Sequence, residues 1–504
     1  MEASGQHPLF APIVLGDQGE SFLFDIRTVF FVNGFLLLIL AAAMGLPLAV
    51  DLAAEHSEWQ AFASAQLFTG FIGLGLIFAN RPDGRPKLPT RAAFFLIASS
   101  WVLVSLFGAL PFELGSRHLS VTDGMFETIS GLTTTGATVI TGLDRTPSAI
   151  LLWRAVLQWL GGAGIIVAAV ALLPFLRIGG MQLFRLESSD KTERVAPRVS
   201  QVAWKLLFIY GMLTGAVGLA LYFAGMTPLE AACHAMSSLS TGGFSTSDQS
   251  LGRFGDAARW VCVIGMLLGG MTFSQYLTLG KRGRGSSLVD SQTRWYLTII
   301  AVFCLLLTFW NWAVGDMGAY EALQQSTFNV VSVLTTSGFH TANYDAWGGF
   351  AQVAFFVMTF VGGCTGSTAG GIKVFRYEVL FAVSGLHIKR LLHPHGVFPV
   401  AFNRLILSDA VLRSVLGFMM LYFVCFAALA LALTVSGLDT VSGLSAAAAA
   451  LGNVGPGLGH VLGPGGSYQS LPADTKWLLA FGMLLGRLEL APLLVVFTAS
   501  FWRE

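Results

Sequence analysis

Four times in this chain a half-length apolar segment runs into a short strip of glycine, serine and threonine. The first strip, SGLTTTGAT, occupies 130–138. It recurs in altered form as SSLSTGGFS at 237–245, VLTTSGFHT at 333–341 and ALGNVGPGL at 450–458. Aligning one glycine from each copy places Gly136, Gly242, Gly338 and Gly455 in register, at spacings of 106, 96 and 117 residues. Self-similarity at a near-constant spacing constrains a fold more than any local pattern, because every copy must adopt one shape. The chain therefore reads as four diverged copies of one unit.

What surrounds the strips decides the solvent. Of 504 residues, 54% are hydrophobic and only 11% charged, against about 25% charged in soluble domains. Such a chain cannot clothe a globule in polar side chains, which points to a polytopic membrane protein. A net charge of +1 offers no general attraction to nucleic acid. Cys233, Cys262, Cys304, Cys364 and Cys425 are scattered, without metal or disulfide spacing, and read as small apolar residues. No Lys or Arg precedes Arg27, and the first apolar run is longer than a signal-peptide core, so it is expected to be an uncleaved span.

A bilayer core about 30 Å thick takes roughly 20 helical residues per crossing. Spans are expected at 28–50 and 62–79, then in pairs at 92–112 and 149–174, 202–224 and 258–279, 295–315 and 348–386, and 410–436 and 474–501. Inside each pair lies a segment too short to cross: 120–132, 228–239, 319–334 or 439–451. Asp123, Glu230, Glu321 and Asp439 open these segments, where an acid complements the helix dipole. The expected fold is an all-α polytopic membrane protein. It has four pseudo-repeats of span, re-entrant pore helix, filter strip and span around one pore, plus two extra N-terminal spans. The divisions are 1–88 for the N-terminal pair, then 89–199, 200–291, 292–404 and 405–504 for the repeats. Basic residues gather in alternate loops, with Arg81, Arg85, Lys87 and Arg91 in one. Arg177, Arg185, Lys191, Arg194, Arg198 and Lys205 lie in the next, then Lys281, Arg282, Arg284 and Arg294, then Lys389, Arg390, Arg404 and Arg413. By the positive-inside rule both termini are cytoplasmic, and the half-spans enter from outside.

Irregular backbone at membrane depth is tolerated only within protein or along a wet path. Four such loops aimed at one axis meet that condition by enclosing a pore. The C-terminal end of each half-helix carries about half a negative charge, which favours a cation. The strips offer carbonyls and hydroxyls but no ring of Asp or Glu, so coordination is by neutral oxygens. Such a ring suits a weakly hydrated monovalent cation better than calcium, which seeks carboxylates. A second irregular stretch, GGCTGSTAGGIK at 362–373, interrupts the long segment 348–386 and reads as either a kink or a gate below the strips. Arg487 stands mid-way along the last apolar segment, where an arginine costs about 2.5–3.5 kcal/mol to insert and so must face protein or water. By its position alone it reads as the partner of Glu489 or of loop carbonyls. Arg154 and Gln158 are candidates to brace the first pore helix. Lys373 and Arg376 are expected to snorkel to the cytoplasmic interface or to meet a regulatory partner. His340 reads as a satisfied polar residue at the mouth, with tuning of ion entry by pH as the other reading. His393 and His395 are solvated loop residues without metal spacing.

The motifs GLTTTGAT (131–138), WRAVLQWLGGAGIIV (153–167), GGMQLFRLE (179–187), GGCTGSTAGGIKVFR (362–376), NVGPGLG (453–459), GRLE (486–489) and the terminal FWRE resemble those of the TrkH/TrkG/KtrB superfamily of bacterial potassium uptake proteins. The TrkH branch matches best. The resemblance covers nearly the whole chain. It implies a gated potassium pore in the bacterial inner membrane, a homodimer, and a cytoplasmic ring of nucleotide-binding regulatory subunits of TrkA type. No covalent cofactor is implied, only a potassium ion held in the filter. Carried over by motif, that filter is Thr134, Thr135 and Gly136 in the first copy and Ser240, Thr241 and Gly242 in the second. It continues with Thr336, Ser337 and Gly338 in the third and Asn453, Val454 and Gly455 in the fourth. Ala137, Gly243, Phe339 and Pro456 follow the shared glycine. The gate implied is Gly363, Gly366, Gly370, Gly371 and Lys373 of the intramembrane loop, together with Arg487 just below the filter. With one glycine shared by all four strips, discrimination of potassium from sodium is expected to be weaker than in channels with longer filters. The rival reading is a secondary transporter coupling potassium to protons or sodium. A membrane-embedded enzyme would need His, Cys or carboxylate clusters within spans, which this chain lacks.

Overall fold

The computed structural model describes residues 26–55, 58–82, 89–171, 195–277, 290–396, 398–403, 405–459 and 461–503. Outside these fall the basic residues Arg85, Lys87, Arg177, Arg185, Lys191, Arg194, Lys281, Arg282, Arg284 and Arg404, and the 179–187 motif. Among the described residues seven helices are long and apolar enough to cross a membrane. The first two, α1 (Ile26–Ala53) and α2 (Trp59–Ala79), lie against each other. Their close approach runs over glycines: a Cβ on Gly34 would sit 2.8 Å from the Gly73 carbonyl oxygen. Small residues are what lets helices approach this closely in lipid. Leu67, Phe208 and Phe223 are more than 70% exposed, the inverse of a water-soluble surface.

The rest of the chain repeats one order four times. A long helix comes first: α3 (Thr90–Leu114), α6 (Val195–Phe223), α9 (Ser291–Ala313) or α13 (Asp409–Val435). A short one follows: α4 (Val121–Leu132), α7 (Pro228–Leu239), α10 (Ala319–Leu334) or α14 (Thr440–Gly452). Three of the short helices start on side-chain caps. Ser120 accepts from the Asp123 N–H, Thr227 and Glu230 form a capping box, and Asp439 accepts from the Ser442 N–H. The acids expected at these starts are therefore caps or first-turn residues. An irregular strip follows each short helix, and a second helix follows the strip: α5 (Ser148–Ala171), α8 (Asp256–Gly270), α11 (Gly349–Thr359) or α15 (Ala473–Arg487).

Of these second helices only α5 crosses without a break. The interruption expected in 348–386 is present, from Phe360 to Lys373, before α12 (Val374–Leu392) resumes. The other two expected spans, 258–279 and 474–501, are not single helices. The α8 helix stops at Gly270, whose carbonyl accepts the Cys364 N–H at 2.9 Å. The chain then turns so that the Thr272 hydroxyl donates to the Thr365 carbonyl at 3.0 Å. The α15 helix stops at Arg487 because Glu489 and Leu490 take positive φ (57° and 62°), and a separate helix, α16 (Ala491–Val496), follows. Arg487 is thus a helix-terminal residue and not the middle of a span. A two-residue hairpin, β1 (Ala401–Phe402) with β2 (Leu405–Ile406), joins α12 to α13.

Candidate functional site: a closed ring of four strips above an intramembrane loop

Each strip leaves its helix in the same way. Thr134, Thr241, Thr336 and Asn453 are left-handed, with φ of 52°, 52°, 58° and 55°. The next residue donates its N–H to the carbonyl five positions back: Thr135 to Ser130, Gly242 to Ser237 and Ser337 to Ser332 at 2.8 Å each, and Val454 to Ala449 at 2.9 Å. Then comes a glycine at positive φ: Gly136 (85°), Gly243 (83°), Gly338 (79°) and Gly455 (99°). This geometry corrects the alignment of the second copy by one residue. The partner of Gly136 is Gly243, so Thr241, Gly242 and Gly243 correspond to the other three trios, and Ser240 lies one position early. Spacings become 107, 95 and 117 residues, and Phe244, rather than Gly243, follows the shared glycine. Two adjacent glycines made either choice equally good by residue type. The left-handed turn at Thr241 decides between them.

The four strips also touch in cyclic order. A Cβ on Gly136 would run into the carbonyl oxygen of Gly242, and one on Gly243 into that of Ser337. One on Gly338 would run into the Val454 oxygen, and one on Gly455 would sit 2.5 Å from the Thr135 oxygen. The contacts pass from copy one to two to three to four and back to one, so the backbone forms a closed ring. Glycine is required here twice over, by the positive φ and by the backbone approach. Each short helix meets the ring with its C-terminal end, the negative end of its dipole.

Behind the ring each copy uses a different polar residue to hold the outgoing strip. In the first, buried Glu127 accepts from the Val139 N–H and the Thr138 hydroxyl, both at 2.9 Å. In the second, His234 Nε2 lies 2.9 Å from Ser245 Oγ. In the third, Asn329 donates to the Thr341 hydroxyl (3.0 Å) and accepts from its N–H (3.3 Å). In the fourth, Ser445 Oγ accepts from the Leu458 N–H at 2.9 Å. Arg154 braces the first pore helix through Glu127 and reaches the second strip as well, whereas the hydrogen bonds of Gln158 go to Ser237, Gly242 and Phe244 of the second copy and not to the first pore helix. Arg154 donates to Glu127 at 2.7 Å and to the Ser245 carbonyl at 2.8 Å, and its guanidinium lies 4.0 Å from the Phe244 ring centroid. Glu127 was missed from sequence. A carboxylate in the middle of a 12-residue apolar helix, paired with an arginine in the next helix, was the available signal.

Under the ring lies the 360–373 loop, which brings together the expected Gly363, Gly366, Gly370, Gly371 and Lys373. The Thr368 hydroxyl donates to the Leu239 and Gly269 carbonyls, both at 3.0 Å. The Gly370 N–H donates to the Thr336 hydroxyl at 2.7 Å, and a Cβ on Gly370 would meet the Gly452 carbonyl. Gly366 accepts from the Phe273 N–H at 3.1 Å, Gly363 accepts from the Val374 N–H at 3.0 Å, and Gly371 turns at φ 74°. Arg487, 4% exposed, completes the underside: it donates to the Thr368 carbonyl at 2.7 Å and reaches the Gly161 carbonyl of the first copy at 3.5 Å. Its partners are therefore carbonyls of the loop and of α5. Glu489 pairs with Arg376 at 2.5 Å, and the Arg376 guanidinium lies 3.6 Å from the Phe418 ring centroid. Lys373 donates to the Ala369 carbonyl. Neither basic residue snorkels. Both are buried, because a carbonyl and a carboxylate of the neighbouring segments satisfy them in place. At the mouth, the His340 N–H donates to Ser250 Oγ at 3.2 Å, while its carbonyl accepts from Leu251 at 3.1 Å. Among the described residues no group of three or more His, Cys, Asp or Glu is placed to hold a metal ion.

An all-helical multi-pass protein built around a closed ring of backbone oxygens, with its own loop packed beneath, is a membrane transport protein. Over residues 59–504 the chain matches the TrkH cation transport protein family, and it belongs to that family. It is 42% identical over 472 residues to the Trk system potassium uptake protein TrkI of Halomonas elongata, covering 93% of this chain and 95% of that one. It is 38% identical over 488 residues to TrkH of Escherichia coli, covering 95% and 99%. Its fold superposes on the crystal structure of the potassium transporter TrkH from Vibrio parahaemolyticus with a TM-score of 0.87 at 36% identity, covering 95% of this chain and all of that one.

Proposed function

We propose that the chain takes up potassium across the bacterial inner membrane, as the translocating subunit of a Trk system. The observation that carries this reading is the closed contact of the four strips through Gly136, Gly243, Gly338 and Gly455. The ring is the selectivity filter around one pore. Thr134, Thr135 and Gly136, Thr241, Gly242 and Gly243, Thr336, Ser337 and Gly338, and Asn453, Val454 and Gly455 present neutral oxygens to the ion. The loop from Phe360 to Lys373 and Arg487 form the gate: a fixed guanidinium below a cation site opposes passage until loop or side chain withdraws. Both termini are cytoplasmic. The chain works as a homodimer with a regulatory ring of TrkA type, for which the support is family membership.

A channel-like path fits better than coupled transport. Among the described residues, the two carboxylates buried beside the path, Glu127 and Glu489, are each paired with an arginine, so neither is free to carry a proton. The test is tracer rubidium and potassium flux in proteoliposomes. A channel equilibrates the tracer along the potassium gradient alone. Flux that demands an imposed proton or sodium gradient would select the coupled reading, and absence of alkali-cation flux would overturn both. Restoration of growth on limiting potassium in an uptake-deficient bacterium is the expected cellular result.

A further inference from the structure

The ring is not equivalent at its four joints, and the difference traces to one side chain. Gly161, Gly269 and Gly486 pack on the carbonyls of Leu132, Leu239 and Leu451, the corresponding leucines of copies one, two and four. That common anchor aligns α5, α8 and α15. Three residues before it stand Gln158, Met266 and Met483, and seven before it stand Arg154, Cys262 and Leu479, all buried. Of these three copies only the first carries a hydrogen-bonding amide or guanidinium at these levels.

Gln158 uses its polarity on the ring itself. Its Oε1 accepts from the Ser237 hydroxyl (2.6 Å) and the Phe244 N–H (3.1 Å), and those two donors orient the amide. Its Nε2 then donates to the Gly242 carbonyl at 2.5 Å. This is the oxygen on which Gly136 packs. The matching oxygens of Thr135, Ser337 and Val454 receive no such bond among the described residues. One ring carbonyl of four is thus held from behind by an amide donor.

We propose that Gln158 is a specificity-determining positioning residue: by tethering the Gly242 carbonyl it keeps the ring from contracting onto an ion smaller than potassium. The proposal rests on the filter reading above. A carbonyl with one lone pair committed outward cannot follow a small cation inward without breaking that bond. The other three can move, so the tether sets the minimum size of the ring at the joint between copies one and two.

The test compares potassium and sodium permeability in proteoliposomes of wild type, Gln158→Met and Gln158→Glu. Methionine is the residue that copies two and four carry. Glutamate keeps the acceptor toward Ser237 and Phe244 but has no amide donor for Gly242. Both should conduct, with the potassium-to-sodium ratio lowered about fivefold, equivalent to about 1 kcal/mol. Met266→Leu, at the same level in the second copy, should leave the ratio at the wild-type value. A merely structural role would lower the amount of folded protein and leave the ratio alone. Wild-type flux with an unchanged or raised ratio in the two Gln158 variants overturns the role of Gln158. No flux in wild type overturns the transport reading itself.

Discussion

Gly243 faces the Ser337 carbonyl at φ 83°, whereas the atoms nearest a Cβ on Gly242 would be the end of the Gln158 side chain. The two adjacent glycines should therefore differ sharply. Gly243→Ala should abolish rubidium uptake, because neither the φ nor the neighbouring backbone can yield. Gly242→Ala should retain part of it, because a side-chain end can swing away. Equal loss in both would contradict the register of the second strip. Arg487 is the other residue whose meaning is local. It lies buried against two carbonyls, and among the described residues no carboxylate is bonded to it. Arg487→Ala should raise tracer flux per folded protein several-fold. Unchanged flux at equal expression would leave the arginine a structural prop. Both residue types were legible in sequence, since glycine clusters and an intramembrane arginine stand out against apolar surroundings. Which glycine of the pair mattered was not, because the choice depends on a contact with residues about 95 positions later.

At the level of elements, α4 and α5 are joined by the Glu127–Arg154 pair, both residues 1% exposed or less. Removing one partner strands the other charge, which costs about 3–5 kcal/mol. Glu127→Ala should lower the thermal unfolding midpoint in detergent well below that of the double variant Glu127→Leu with Arg154→Met. If the single and double variants melt together, the pair is not what joins the helices. The α15–α16 break offers a parallel case. Glu489 holds Arg376 at the far end of the loop, so Glu489→Gln should loosen the 360–373 segment and raise basal flux. Flux at or below wild type would argue that the loop is held elsewhere. The short helices were readable from length and the third-copy loop from its glycines. The breaks after Gly270 and Arg487 were not. They are made by hydrogen bonds to the loop of another copy and by a positive-φ pair that no residue type there demands.

For the whole molecule, closure of the ring joins residues from Thr135 to Gly455, so every copy depends on the other three. An ion bound at its centre would hold all four strips at once. Potassium should then raise the melting temperature as its concentration rises, by the equivalent of about 2.7 kcal/mol at 100 times the dissociation constant. Replacing it with a large organic cation at equal ionic strength should remove the gain. A midpoint indifferent to the cation would mean that the ring does not bind it in the folded protein.

Composition and periodicity by themselves determined the solvent, the helical class, the number of copies and the polar strip in each. Those properties are local, since hydropathy, segment length and turn chemistry act over a few tens of residues at most. Only the tertiary structure decided the register of the second strip, the breaks after Gly270 and Arg487, and the pairing of Arg376 rather than Arg487 with Glu489. It alone showed that Gln158 of one copy holds a ring oxygen of the next. Apart from the break after Arg487, each of these involves a contact between copies, whose energy is set by distance in space and leaves no trace in the order of residues along the chain.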